Sequence, residues 1–136
     1  MLKIYIASKY QEKARVIREL ITNLGHVSTG GWIDVPDFAK PGRPDALLCQ
    51  RAEEDLEDVR KAEALILIAE DDQEYSSGGR HTELGYMLAL GCPVIVYGRR
   101  ENVFHYLPEI EFVRNDQELV DALCRLRGTP STTYLS

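Results

Sequence analysis

Residues 63–70 read EALILIAE and residues 93–98 read PVIVYG. Both are short, almost unbroken apolar runs rich in β-branched residues. A strand with one wet face alternates apolar and polar residues, so these runs predict strands covered on both faces, as in a parallel sheet. Between them, RHTELGYMLALG (80–91) carries its apolar residues at helical spacing. The three stretches together predict a β-α-β unit, and the rest of the chain is read outward from it.

The same alternation runs in both directions. LKIYIAS (2–8) is a β-rich run. YQEKARVIRELITNLG (10–25) predicts a helix with Ala14, Val16, Ile17, Leu20, Ile21 and Leu24 on one face, stopped by Gly25. HVSTGGWIDV (26–35) reads as a second strand running out into a loop, and PDFAKPGRP (36–44), with its three prolines, as loop. DALLCQRAEEDLEDVRKA (45–62) predicts a helix capped by Asp45, with Leu47, Leu48, Ala52, Leu56 and Val59 on its apolar face. EFVRN (111–115) is a short last strand. DQELVDALCRLRG (116–128) is a closing helix capped by Asn115 or Asp116, with Leu119, Val120, Leu123 and Leu126 inward. Strands and helices joined by short connections predict a five-stranded parallel sheet with helices on both faces, wound right-handed. Residues 1–128 form a single domain in this reading, and TPSTTYLS (129–136) is a tail without periodic pattern.

Composition narrows the function. A chain of 136 residues suffices for one domain with a real core. It is 44% hydrophobic and 28% charged, with a net charge of −6 and basic residues scattered among acids. That argues against sequence-independent binding to DNA or RNA, which depends on many phosphate contacts. The start, MLKIYIAS, lacks the layout of a signal peptide, and no apolar run approaches the ~20 residues of a membrane span. Cys49, Cys92 and Cys124 show no CxxC pair and read as reduced, buried thiols of a cytoplasmic protein. The acidic runs EEDLED (53–58) and EDDQE (70–74) lack metal-site spacing, so no metal is expected, and His26 and His105 read as structural.

In an open parallel sheet, ligands bind beyond the carboxyl ends of the strands. Ser8 to Tyr10, Glu70 to Gly79 and Gly98 to Asn102 all fall at that edge, and Glu83 falls in the first turn of the helix after the third strand. Glu83 has two readings. As a first-turn acid it complements the helix dipole, although a capping box fails because position 80 is Arg80. Alternatively, Gly78 and Gly79 let the backbone approach a ligand, and Glu83 projects into a pocket as a carboxylate able to attack an anomeric carbon, kept ionised by the helix N-terminus.

The run GGRHTELGYMLALGCPVIVYG (78–98) resembles the signature of the nucleoside 2-deoxyribosyltransferase family and of the related nucleoside 5′-monophosphate N-glycosidases. Ser77, Gly79, Glu83, Leu84, Gly85, Pro93 and Val94 fill the family's pattern, with Cys92 where Lys is usual. KIYIAS (3–8) is similar to the family's opening strand. DLEDVRKAEALILIAE (55–70) is similar to its second functional segment, and ENVFHYLP (101–108) to the segment that crosses to a neighbouring subunit. The resemblance is specific at 77–98 and loose at 26–50. It implies a flavodoxin-like (Rossmann-like) three-layer α/β sandwich and an enzyme that cleaves or transfers the N-glycosidic bond of a nucleoside or nucleoside 5′-monophosphate, without a cofactor.

The same resemblance implies the roles. Glu83 is the nucleophile at C1′, Asp55 binds the base or reacting centre and assists proton transfer, and Tyr5 orients the carboxylate. Ser8 and Ser77 hold the sugar or a 5′-phosphate, with Lys9 and Lys13 offering charge. Asn102 is the polar contact, and Phe104 the apolar one, toward a partner subunit's site in a homodimer or larger homo-oligomer. Trp32 stacks on a base or packs beneath its loop. Arg80 and His81 depart from the pattern, as solvated residues or ligand contacts. A non-catalytic nucleotide-binding module is the competing reading, and it needs Gly78 and Gly79 but not Glu83 and Asp55 together. A protein whose apolar NVFHYLP patch (102–108) serves only assembly is the third.

Overall fold

The computed structural model describes residues 1–36, 40–69 and 78–128. Five strands, β1 (Lys3–Ala7), β2 (Val27–Ser28), β3 (Ala64–Ile68), β4 (Val94–Tyr97) and β5 (Ile110–Val113), form one sheet in the order β2-β1-β3-β4-β5. Every pairing is parallel, with Tyr5 opposite Leu65 and Leu65 opposite Val94. Four helices connect or follow the strands: α1 (Gln11–Asn23), α2 (Asp45–Lys61), α3 (Gly79–Ala89) and α4 (Asp116–Gly128). This is the expected flavodoxin-like α/β architecture. All five residues of the central β3 are buried, as its unbroken apolar run requires.

The second strand is shorter than expected, and the reason lies in Trp32. Val27 and Thr29 donate to the Leu2 and Ile4 carbonyls, so the next ladder acceptor on β1 is Ile6. The Trp32 indole Nε1–H takes the Ile6 carbonyl instead, at 3.0 Å, and the Gly31 N–H turns to the Asp58 carboxylate, also at 3.0 Å. The chain leaves the sheet and winds into a 3-10 turn at Gly31–Asp34. Gly30 permits this, because a Cβ there would crowd both the indole and the Tyr5 ring.

The helices bury less than their patterns promised. On α1, Ala14, Ile17 and Ile21 face the sheet, whereas Val16 stands 100° round from Ile17 and is 55% exposed. On α2 only Val59 is buried; Leu48 is 50% exposed and Ala52 is also in solvent. Asp45 does not cap that helix: Pro44 occupies the cap position and Asp45 lies in the first turn, where its charge favours the dipole. Asn115 does cap α4, accepting from the Glu118 N–H at 2.9 Å. Cys49 and Cys124 are exposed and Cys92 half-buried, so the thiols are not core residues. Among the described residues no helix is long and apolar enough to cross a membrane. The tail at 129–136 lies outside the described residues.

Candidate active site

At the carboxyl edge of the sheet the ends of β1 and β4 and the start of α3 gather those of the described polar residues that the sequence placed there. Tyr5, fully buried in β1, points its hydroxyl at α3 and donates to Glu83 Oε2 at 2.6 Å. Leu84 and Met87 bury the inner face of α3 against the sheet, which turns Glu83 toward β1 rather than toward solvent. Glu83 is the fifth helical residue, one position further in than expected, and no acid occupies the first turn. Gly78 supplies the helix cap from a left-handed conformation, φ 91°, and its carbonyl accepts from the His81 and Thr82 N–H groups.

Position decides ionisation. Burial pushes the Glu83 carboxyl up to about 7; the Tyr5 hydrogen bond pulls it down and the Asp55 charge pushes it up again. The helix terminus therefore does not keep Glu83 fully ionised, because desolvation outweighs it. Tyr5 is held far above the usual phenol range, first by its own burial and then by the neighbouring Glu83, so it remains a neutral donor.

Asp55 approaches from α2. Asp55, Asp58 and Val59 share one helical face at i, i+3 and i+4, and the buried Val59 anchors that face. Asp58 is committed to structure: its carboxylate accepts from the Gly31 N–H and its carbonyl from the Thr29 hydroxyl, at 3.0 and 2.9 Å. Burial raises Asp55 to about 6, the Asp58 and Glu54 charges add to the rise, and Arg51 opposes it. A cleft of about 290 Å³ lies beside it, lined by Trp32, Val35, Arg51, Glu54, Asp55 and Asp58. Trp32 forms a wall of this cleft with its N–H already engaged to Ile6.

The other expected residues are distributed around this centre. Ser8 closes a turn before α1, its hydroxyl exchanging hydrogen bonds with the Tyr10 backbone at 3.2 Å. The Lys9 ammonium lies 5.5 Å from the Tyr10 ring, and Lys13 lies 5.6 Å from that of Tyr97. Ser77 lies outside the described residues, as does the rest of 70–77. Asn102 opens the 3-10 turn Val103–Tyr106, accepting from the Phe104 N–H at 2.9 Å, and its amide sits 3.4 Å from His81 Nδ1. Phe104 is 61% exposed, with Val103 and Tyr106 beside it at 74% and 67%.

Two features escaped sequence reasoning. Arg80 is not solvated: it is buried and donates through one nitrogen to both Glu101 oxygens, at 2.6 and 2.7 Å. Nothing local marks this pair, whose partners stand 21 residues apart. Asp58, by contrast, was available in the spacing of DLED (55–58), three residues after Asp55. His26 and His105 are buried and structural, accepting from the Leu2 and Glu101 N–H groups. No group of His, Cys, Asp and Glu among the described residues could hold a metal ion.

No protein-family model matches the sequence, and no curated protein matches it. Solved structures do. The 2-deoxyribosyltransferase of the psychrotolerant bacterium Bacillus psychrosaccharolyticus superposes with a TM-score of 0.64 at 21% identity, over 88% of this chain and 90% of that one. The chain shares that enzyme's fold. The CMP N-glycosidase BcmB of Clostridium botulinum superposes with a TM-score of 0.59 at 14% identity, over 90% of this chain and 98% of the other. At these identities the likeness is one of architecture, and it extends over nearly the whole of each chain.

Proposed function

We propose that this protein cleaves or transfers the N-glycosidic bond of a nucleoside or nucleoside 5′-monophosphate through a covalent glycosyl-Glu83 intermediate. The observation that carries the reading is the 2.6 Å hydrogen bond from Tyr5 to Glu83, with the Asp55 charge acting on both. A nucleotide-binding module has no use for two desolvated acids converging on one buried tyrosine. A double displacement needs a nucleophilic carboxylate, a group to orient it and a second acid to supply a proton. The resemblance at residues 77–98 and the architecture shared with a 2-deoxyribosyltransferase and a CMP N-glycosidase support the same reading.

The steps follow from these groups. Ionised Glu83 attacks C1′ as the C–N bond breaks. The bonding pair leaves with the base nitrogen, and protonated Asp55 supplies its proton. Asp55, now ionised, accepts a proton from water or from an acceptor base that attacks C1′ in turn, and the sugar–Glu83 ester opens. The cleft bounded by Trp32 and Asp55 receives the base, and the turn at Gly78 and Gly79 lets the backbone approach the sugar. Ser8 and Ser77 hold the sugar or its phosphate, with Lys9 supplying charge. The ratio of hydrolysis to transfer is set by how well the closed site excludes water.

A second copy of the chain completes the assembly in this reading. Val103, Phe104 and Tyr106 present three large apolar side chains to solvent on one turn, next to Asn102. A homodimer or larger homo-oligomer buries them.

Base release tests the function directly. Ribo- and deoxyribonucleosides and their 5′-monophosphates are incubated with and without an acceptor base, and the products separated by chromatography, beside Glu83→Ala. Release by the native protein that disappears in Glu83→Ala is the expected result. A folded protein that releases no base from any of them would return the site to nucleotide binding.

A further inference from the structure

The nucleophile's helix begins without a side-chain cap. Its inner residues Leu84 and Met87 hold the middle of α3 on the sheet, and its first turn is tied to a second segment through Arg80. Arg80 stands one turn before Glu83 and on nearly the same side of the helix. Its guanidinium crosses to the loop after β4 and meets Glu101, in an ion pair whose side chains are only 7% and 13% exposed. His81 Nε2 and Arg99 Nη2 each lie 3.6 Å from the same carboxylate, so three basic side chains of two segments converge on one acid.

Glu101 is itself fixed. Its N–H donates to His105 Nδ1 at 3.0 Å, and the His105 N–H closes the turn onto the Asn102 carbonyl at 3.1 Å. At the start of this segment Gly98 donates to Val113 at 2.9 Å, with φ 110° and no room for a Cβ against the Ala69 carbonyl. The bracket therefore runs from the edge of the sheet through Glu101 and Arg80 into the turn that precedes Glu83.

We propose that Glu101 is a positioning residue for the nucleophile, holding Arg80, and with it the first turn of α3, where Glu83 reaches the Tyr5 hydroxyl. A buried pair of this kind gives little net stability but fixes one geometry among several. Its loss lets the helix start shift, and such a shift lengthens the 2.6 Å bond between Tyr5 and Glu83. This inference rests on the reading of Glu83 as nucleophile, although the contact it concerns can be followed without turnover.

Among the described residues, the groups facing Glu83 are Tyr5 from β1 and Asp55 from α2, and those facing Glu101 are Arg80, His81, Arg99 and His105. With side chains labelled at the glutamate carboxyl carbon, NMR titration follows the Glu83 midpoint in the native protein, Tyr5→Phe, Glu101→Gln and the double variant Tyr5→Phe/Glu101→Gln. Loss of the hydrogen bond raises the midpoint, so Glu101→Gln moves it upward by as much as about one pH unit. In the Tyr5→Phe background the same change moves it no further, because the two variants act on one bond. Glu101→Asp keeps the charge and withdraws the carboxylate by one methylene, and it gives the same direction if Glu101→Gln does not fold. In the base-release assay kcat falls about tenfold or more, as expected for a displaced nucleophile, with KM little changed.

A Glu83 midpoint that stays at its native value in both Glu101 variants overturns the proposal, and so does a shift that adds in full to that of Tyr5→Phe. A native protein that releases no base overturns the glycosyl reading instead, and the titration still decides the role of Glu101.

Discussion

Replacing Glu83 by Gln should stabilise this protein at alkaline pH while abolishing base release. An exposed glutamate ionises near 4.5, whereas Glu83 in the fold ionises near about 7, chiefly because it is buried. Between those two values the folded chain holds a proton that the unfolded chain has already lost, so stability falls as pH rises through the window. Above it the full cost is present. At about 1.4 kcal/mol for each tenfold change in the ionisation constant, keeping a charge on Glu83 costs the fold about 3 kcal/mol. An amide retains the oxygen that accepts from Tyr5 but adds an NH₂ that must find a partner, which offsets about 1 kcal/mol. The expected net gain at pH 8 is about 2 kcal/mol, or a Tm higher by roughly 4–8 °C.

At pH 4.5 the native Glu83 is already neutral in the fold, so the variant gains nothing there. Thermal unfolding of both proteins at the two pH values, followed by circular dichroism, measures the difference. A variant no more stable than the native protein at pH 8, or one with the same gain at both values, would refute the reasoning.

Three further outcomes follow from the same geometry. Tyr5→Phe removes the hydrogen bond that holds Glu83 down, so the acid limb of the kcat/KM profile moves upward and activity at pH 7 falls about five- to fiftyfold, the shortfall against the native protein narrowing at higher pH as both profiles decline. If Asp55 is the proton donor of the proposed mechanism, Asp55→Asn lowers kcat/KM about 10²- to 10⁴-fold for ordinary bases but far less for a base that departs without protonation. Gly98→Ala forces a Cβ onto the Ala69 carbonyl at positive φ and costs about 1–3 kcal/mol in urea unfolding.

The sheet was legible because β3 and β4 are covered on both faces, and such burial imposes continuous apolar runs that need no partner to be recognised. The β2 region was not, since whether 26–35 continues as strand depends on which donor takes the Ile6 carbonyl, and that donor is the Trp32 side chain. The α2 pattern misled for a related reason. Helical spacing reports a possible apolar face, but only the packing decides that Val59 is covered and Leu48 is not. At the site, the family resemblance carried Tyr5 and Glu83 to the same place, and a hydrogen bond joins them. It carried no sign of Arg80–Glu101, because an ion pair between a helix start and a distant loop leaves no periodic trace.

The two acids also fix the shape of the pH profile. In the free protein burial raises both acids toward neutrality, Asp55 to about 6 and Glu83 to about 7. The proposed mechanism uses the pair with one proton, Glu83 ionised and Asp55 protonated. The kcat/KM profile should therefore be a narrow bell centred between about 6 and about 7, its limbs belonging to the pair rather than to either residue. A base that accepts a hydrogen bond from protonated Asp55 draws the shared proton onto that acid and off Glu83. In the proposed mechanism substrate thereby favours the ionised form of Glu83, and the profile of kcat, which reports the complex, should be wider than that of kcat/KM. A kcat/KM profile flat from about pH 5 to pH 9 would show that the two carboxyls do not share a proton, and Asp55 would lose its place as the acid.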